Sequence, residues 1–437
     1  MCAPAVTLVL LLGGCGAAPL MLMPTPNLYA DGLMNPFDDV PPELQNNKAD
    51  VLYVTDRTPA GDSPERRRYG FGRSRSVGFG LAEVRLGNNV SWPDLVKAST
   101  ARVRLVGLPL IVGRVVETGR FAPTPGSLIE VAGSPGAQAS ASKERAAEDL
   151  FRETLAARLS HTRVKEVYVF VHGYNNTFED GVTTIAQLWH FFGRQGVPVA
   201  YTWPAGSPGA LRGYTYDRES SEFTVYHFKQ MLRLIASCPD VEKVNLIGHS
   251  RGTDVVASGL RELHLELGSQ PQQTREALKL GTLVLAAPDM DFDVVLQRMA
   301  TARIGRVPER SAIYVCNADK ALGMASWLFG SLTRLGGIRS TMFSPDEIHT
   351  LRAAGKPEVI DAQITDAGAF GHDYFHSSPA VSSDLILLMR YRYLPGAEHG
   401  RPLGVNDNGF WVIGNNYPAK PPTTAPSPAT ARTPEDK

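Results

Sequence analysis

Five short apolar runs punctuate the middle of the chain, at 167–171, 197–202, 244–247, 282–286 and 312–315, with stretches of helical length between them. Each run is continuous rather than alternating. Strands with one wet face alternate apolar and polar residues, whereas strands covered on both faces do not. The pattern therefore predicts an α/β fold, a mostly parallel central sheet with crossover helices on both faces. Ahead of it, 51–55, 77–86 and 102–116 are β-rich runs separated by glycines, which suits antiparallel opening strands. Residues 121–142, rich in Pro, Gly, Ser and Ala, read as a loop or linker. After them Ala147, Leu150, Phe151, Leu155 and Leu159 mark an amphipathic helix over 144–159. A last strand at 359–364 and a closing helix at 382–393 complete the body. No internal repeat is visible.

The third apolar run passes without a linker into Gly248-His249-Ser250-Arg251-Gly252 and then into a helix-like stretch at 253–267. Strand, G-x-S-x-G and helix in that order form the nucleophile elbow of α/β-hydrolases, so Ser250 is the candidate nucleophile. The glycines are a steric requirement, because side chains two before and two after the serine would collide in so sharp a turn. A nucleophilic serine needs a base, and the base needs an acid that fixes its tautomer. In this fold both come later in the chain, acid first. Asp319, directly after the run at 312–315, is the first choice of acid, and Asp289, after the run at 282–286, is the alternative. His372 and His376 compete as base, with His372 favoured by its place after the loop beyond the last strand. His249 points away from the nucleophile in such an elbow and reads as a packing residue. The tetrahedral oxygen needs two backbone donors: the amide of Arg251, which follows the serine, and that of Tyr174 in the loop His172-Gly173-Tyr174-Asn175-Asn176 after the first run. Trp203 and residues 204–213 could cap the pocket or form a plain loop.

Composition narrows the alternatives. Forty-four basic residues balance 44 acidic ones and are interspersed with them, so there is no electrostatic footprint for nucleic acid. The one basic cluster, Arg66-Arg67-Arg68 with Arg73 and Arg75, reads as a solvated loop. Asp289, Asp291 and Asp293 alternate like a calcium loop, but Val294 stands where that loop needs Gly and Ala300 where it needs Glu. Metal-ligating C-x-x-C or H-E-x-x-H spacings do not occur, and the expected chemistry needs no metal and no cofactor.

The N-terminus carries a short apolar run, 6–12, ending in Leu12-Gly13-Gly14-Cys15, which resembles a bacterial lipobox. That resemblance implies a leader over 1–14 and a Cys15 that carries the lipid anchor. Gly16 after it implies the outer rather than the inner membrane, on its periplasmic face. The pattern departs from the usual one in having no Lys or Arg before Val6. Residues 15–48 then read as a flexible tether, 49–418 as the catalytic domain with its β-rich extension, and 419–437 as a disordered Pro/Thr/Ala-rich tail. With Cys2 and Cys15 set aside, Cys238 and Cys316 fall at opposite ends of parallel strands and are not expected to pair.

Several further stretches carry a family resemblance: 51–57 (V-L-Y-V-T-D-R), 69–73 (Y-G-F-G-R), His172-Gly173-Tyr174-Asn175, Trp203-Pro204, the Ser250 elbow, Ala287-Pro288-Asp289 and Gly371-His372-Asp373-Tyr374-Phe375. Over most of its length the chain resembles the bacterial α/β-hydrolase family catalogued as domain of unknown function nine hundred. The resemblance implies the α/β-hydrolase fold, Ser250 as nucleophile, and the Asp319 and His372 roles; it implies no particular substrate. Two classes of function follow. One is a serine hydrolase acting on an ester of a lipid or small metabolite, anchored to a membrane. The other is a membrane-anchored interaction scaffold with an idle serine. The intact set of elbow, oxyanion loop, acid and base favours catalysis. Oligomeric state is left open.

Overall fold

Every apolar run of the central region lies in a strand, and the residues along each strand divide between two cores. The computed structural model describes residues 20–32, 34–60, 68–125, 134–316, 319, 335, 355, 357–365, 371–407 and 409–419. Strands β1 (Lys48–Ala60), β2 (Arg68–Leu86) and β3 (Leu110–Arg120) form an antiparallel meander, with helix α1 (Trp92–Thr100) between the last two. Helix α2 (Pro135–Ser160) leads into β4 (Glu166–Val171), α3 (Phe178–Phe191), β5 (Val197–Thr202), α4 (Ala210–Ser237) and β6 (Lys243–His249). Next come α5 (Gly252–Glu266), α6 (Pro271–Leu278), β7 (Leu280–Ala286), the turn α7 (Phe292–Val294) with its π-helical continuation Val295–Ala300, and β8 (Arg310–Val315). The described residues end with β9 (Glu358–Gln363), α8 (Tyr374–Ser377), α9 (Pro379–Met389) and the short strands β10 (Leu394–Pro395), β11 (Gly400–Arg401), β12 (Gly404–Val405) and β13 (Trp411–Gly414).

One 11-stranded sheet in the order β12-β13-β9-β8-β7-β6-β4-β5-β1-β2-β3 spans the molecule, parallel from β13 to β1. In β4, Val167, Val169 and Val171 face one core with α2, α4 and α5. Tyr168 and Phe170 face the other, with α3 and α9. Both faces are covered, which is why the runs do not alternate. This is the α/β-hydrolase fold that the sequence predicts.

Four expectations need correction. The stretch read as a tether packs onto the body from residue 20: Leu22, Met23, Leu28 and Tyr29 are buried with α3 and α9, and the Tyr29 hydroxyl donates to the Phe191 carbonyl at 3.0 Å. It lacks periodicity because it is an irregular strap across helix surfaces, not because it is solvated. The third strand begins at Leu110 rather than 102. Helix α2 begins at Pro135, inside the supposed linker, where the Ser134 side chain accepts from the Ala137 amide. The strand at 359–364 is not the last, since β13 adds beyond it in parallel. Cys238 and Cys316 are both buried and do not form a disulfide, as expected. Cys15 and residues 420–437 lie outside the described residues.

A buried ion pair ties the C-terminal segment to the sheet. Arg401 donates from Nε and Nη2 to the two oxygens of Asp384 at 2.7 Å each, and also to Glu358. The hydroxyls of Tyr314 and Tyr417 donate to the same Asp384 carboxylate, at 2.8 and 2.7 Å. Both charges are fully buried, so this completeness is what makes the pair tolerable.

Candidate active site

Ser250 follows the last residue of β6 and stands one residue before the cap of α5, with φ of 51°. A left-handed conformation costs a non-glycine residue about 1–3 kcal/mol, so the surroundings must impose it. They do so through its backbone. The Ser250 amide donates to the Ala286 carbonyl at 2.9 Å. Its carbonyl accepts from the amides of Thr253 (3.1 Å) and Asp289 (3.3 Å) and from the Thr253 hydroxyl (2.6 Å). Both glycines of the elbow are needed sterically, but in different directions. A Cβ at Gly248 would lie 3.1 Å from the Thr253 Cα, across the turn. One at Gly252 would lie 2.3 Å from the His172 oxygen and 2.4 Å from the Val171 oxygen, at the end of the neighbouring strand.

The loop 172–176 after β4 lies directly against this serine. A Cβ at Gly173 would come 2.7 Å from the Ser250 Cβ and 3.2 Å from its Oγ. Arg57, buried at the end of β1, fastens the loop by donating to the carbonyls of Asn176 (2.7 Å), Ala205 (2.8 Å) and Gly70 (3.2 Å) and to His172 Nε2 (3.2 Å). Burial, and then the Arg57 charge, hold His172 well below the usual imidazole range, so it is a neutral acceptor. Its ring stacks on buried Trp203 at 5.2 Å, and the indole donates to the His172 carbonyl at 2.7 Å. Trp203 is therefore a support beneath the loop, not a cap. Asp217 of α4 accepts from the Asn175 and Gly206 amides at 2.9 and 3.1 Å. Tyr174 packs against Tyr214 with ring centroids 5.4 Å apart, and the Arg251 amide opens α5, at the positive end of its dipole.

Of the candidate acids and bases, the structure pairs Asp319 with His372: Nδ1 and Oδ2 are 2.7 Å apart, and the Asp319 side chain is wholly buried. With the carboxylate accepting at Nδ1, the free lone pair of a neutral His372 is at Nε2. Burial opposes a charge on His372, but the Asp319 bond and charge, with Asp373 and Asp289 behind them, raise its pKa above 6.5. Asp289 makes other contacts. Its Oδ2 accepts from the Tyr214 hydroxyl at 3.1 Å, its amide supports the Ser250 carbonyl, and its own carbonyl accepts from Arg251 Nη1 at 3.1 Å. His376 stands edge-on to Phe375 at 4.6 Å, and burial lowers its pKa. His249 lies against the segment that carries His372, 4.9 Å from the His372 ring and 4.7 Å from Phe375, with Nε2 at 3.3 Å from the His372 carbonyl. Burial depresses its pKa, followed by the neighbouring His372.

Three residues of this assembly were not singled out from the sequence: Arg57, Asp217 and Tyr214. Arg57 had a signal, a charged residue at the end of an apolar strand. The other two are brought in only by the packing of α4.

A fold of this kind, with a serine elbow at its centre, defines the class of protein. Residues 147–392, more than half of the chain, match the family described as alpha/beta hydrolase of unknown function (DUF900), and the chain belongs to that family. No curated protein matches it significantly.

Proposed function

We propose that this hydrolase cleaves a carboxylic ester through an acyl-enzyme on Ser250, with His372 as general base and Asp319 as its acid. The observation that carries the reading is the 2.7 Å pair between His372 and buried Asp319, on loops that follow β9 and β8, in a fold whose elbow presents Ser250. In the proposed reaction His372 Nε2 takes the proton as Ser250 Oγ bonds to the carbonyl carbon. The oxyanion that forms receives the amides of Arg251 and Tyr174. His372 returns the proton to the departing alcohol, and water then repeats the sequence to release the acid and restore Ser250. Gly173 supports this reading because only its missing Cβ lets the loop approach Ser250.

The Leu12-Gly13-Gly14-Cys15 signal supports a second part of the proposal, a lipid anchor at Cys15 that holds the enzyme in a bacterial envelope, on the periplasmic face of the outer membrane. Among the described residues no helix is long and apolar enough to cross a membrane. Ester turnover by Ser250→Ala, His372→Ala and His376→Ala tests the first part. The first two should fall to about 10³ to 10⁴ over water, and the third should keep wild-type turnover. Loss in His376→Ala with turnover kept in His372→Ala would move the base.

A further inference from the structure

The loop between α1 and β3, residues 101–109, leaves three large apolar side chains in water: Val103 is 71 % exposed, Leu105 96 % and Val106 75 %. Two more join them from the first described residues, Leu20 at 42 % and Met21 at 46 %. The five form one patch because the strap begins there. The Leu110 amide donates to the Leu20 carbonyl and the Leu22 amide to the Leu108 carbonyl, both at 2.7 Å, and a Cβ at Gly107 would lie 2.4 Å from the Met21 Cε. Arg104 pins the loop from below, donating to the carbonyls of Ala98 (2.8 Å) and Leu22 (2.9 Å) and to the Thr25 hydroxyl (3.2 Å). Arg102, next in sequence to Val103, is exposed, as are Lys97 and the acid Asp94 on the preceding helix α1. A contiguous apolar patch rimmed by charge marks a surface that meets a partner.

We propose that this partner is the lipid surface of the membrane, with Val103, Leu105 and Val106 seated at the boundary between headgroups and acyl chains. The choice of occupant rests on the Cys15 anchor reading and on where the chain emerges. Cys15 lies five residues before Leu20, so it can stand at most about 18 Å away even when fully extended. An acyl group on it therefore brings this patch within reach of the bilayer. Apolar side chains flanked by basic ones suit such an interface. The patch lies at the β3 edge of the sheet, five strands from β6, so it does not touch the serine site.

The test uses the full chain carrying Leu105→Cys, labelled with an environment-sensitive fluorophore; Cys238 and Cys316 are buried, and label taken up at Cys2 and Cys15 is measured on the same chain without the added cysteine and subtracted. The control is Gln230→Cys, exposed on α4. Both are mixed with vesicles of phosphatidylethanolamine and phosphatidylglycerol bearing doxyl-labelled acyl chains. Emission at 105 should shift to the blue and be quenched, and emission at 230 should do neither. Unshifted, unquenched emission at 105 overturns the proposal, as does a change seen only with a second copy of the chain or an added protein. Intact mass judges the anchor separately. An unacylated chain quenched at 105 keeps the loop and removes the anchor; an acylated, vesicle-bound chain unquenched at 105 keeps the anchor and removes the loop.

Discussion

Gly173→Ala puts one methyl group between the two halves of the proposed site, and its effect can be worked out from the structure. The new carbon would start 2.7 Å from the Ser250 Cβ, 3.2 Å from Oγ and 3.3 Å from His249 Nδ1. An ordinary carbon contact is about 3.5–4.0 Å, so the loop and the serine must separate by about 1 Å. Neither yields easily. Ser250 is held by its amide and by three donors to its carbonyl, and the loop by Arg57 and Asp217. Overpacking of this kind costs about 1–3 kcal/mol of stability, and a displacement of about 1 Å at a reacting atom can cost about 100-fold in rate. The assay is kcat/KM on a chromogenic short-chain ester beside urea unfolding of the same sample. A folded protein with turnover reduced about 100-fold is expected. Wild-type turnover, or a loss wholly explained by unfolding, would refute the placement of this loop against a working serine.

Four further outcomes follow from the same structure. kcat/KM should rise with pH along a limb whose midpoint lies above 6.5, because the proposed base must be neutral and its acid neighbours raise its pKa; a midpoint below 6 would contradict this. Asp319→Asn should lower turnover by about three to four orders of magnitude while the protein stays folded. The raised His372 pKa also gives the sign of its stability effect: the pair contributes fully below about pH 6.5 and loses that contribution as pH rises through the folded value. The destabilisation by Asp319→Asn should therefore be larger at pH 6 than at pH 9 in urea titrations, and the opposite trend would contradict the pairing. Asp384→Ala removes the fully buried carboxylate from Arg401, which keeps Glu358, and should cost about 3–5 kcal/mol by the same titration, against under 1 if the network is dispensable.

The parallel strands were legible because burial on both faces leaves no polar residue to interrupt them, as in Val167 to Val171. The elbow was legible because its two glycines are forced by contacts one turn or one strand away. Chain order makes Asp319 and His372 the first choices, and the 2.7 Å bond between them is what favours them over Asp289 and His376 in the proposed site. What stayed hidden shares one cause: it is decided by contacts remote in sequence. The strap from residue 20 has no period because Met23 and Leu28 dock through Gln187 and Ser383. Strand β13 is four residues long and exists as a strand only by pairing with β9 and β12. Arg57 reaches residues 13 to 148 positions away, and no local pattern announces that.

The central claim is that Ser250 is a nucleophile activated by His372, and covalent labelling tests it most directly. The purified full chain is treated with a fluorophosphonate, digested and mapped by mass spectrometry. One adduct is expected, on the peptide that carries Ser250, with labelling nearly abolished in His372→Ala and unchanged in His376→Ala. An adduct on another residue, or a folded wild-type protein that takes no label, would contradict the account.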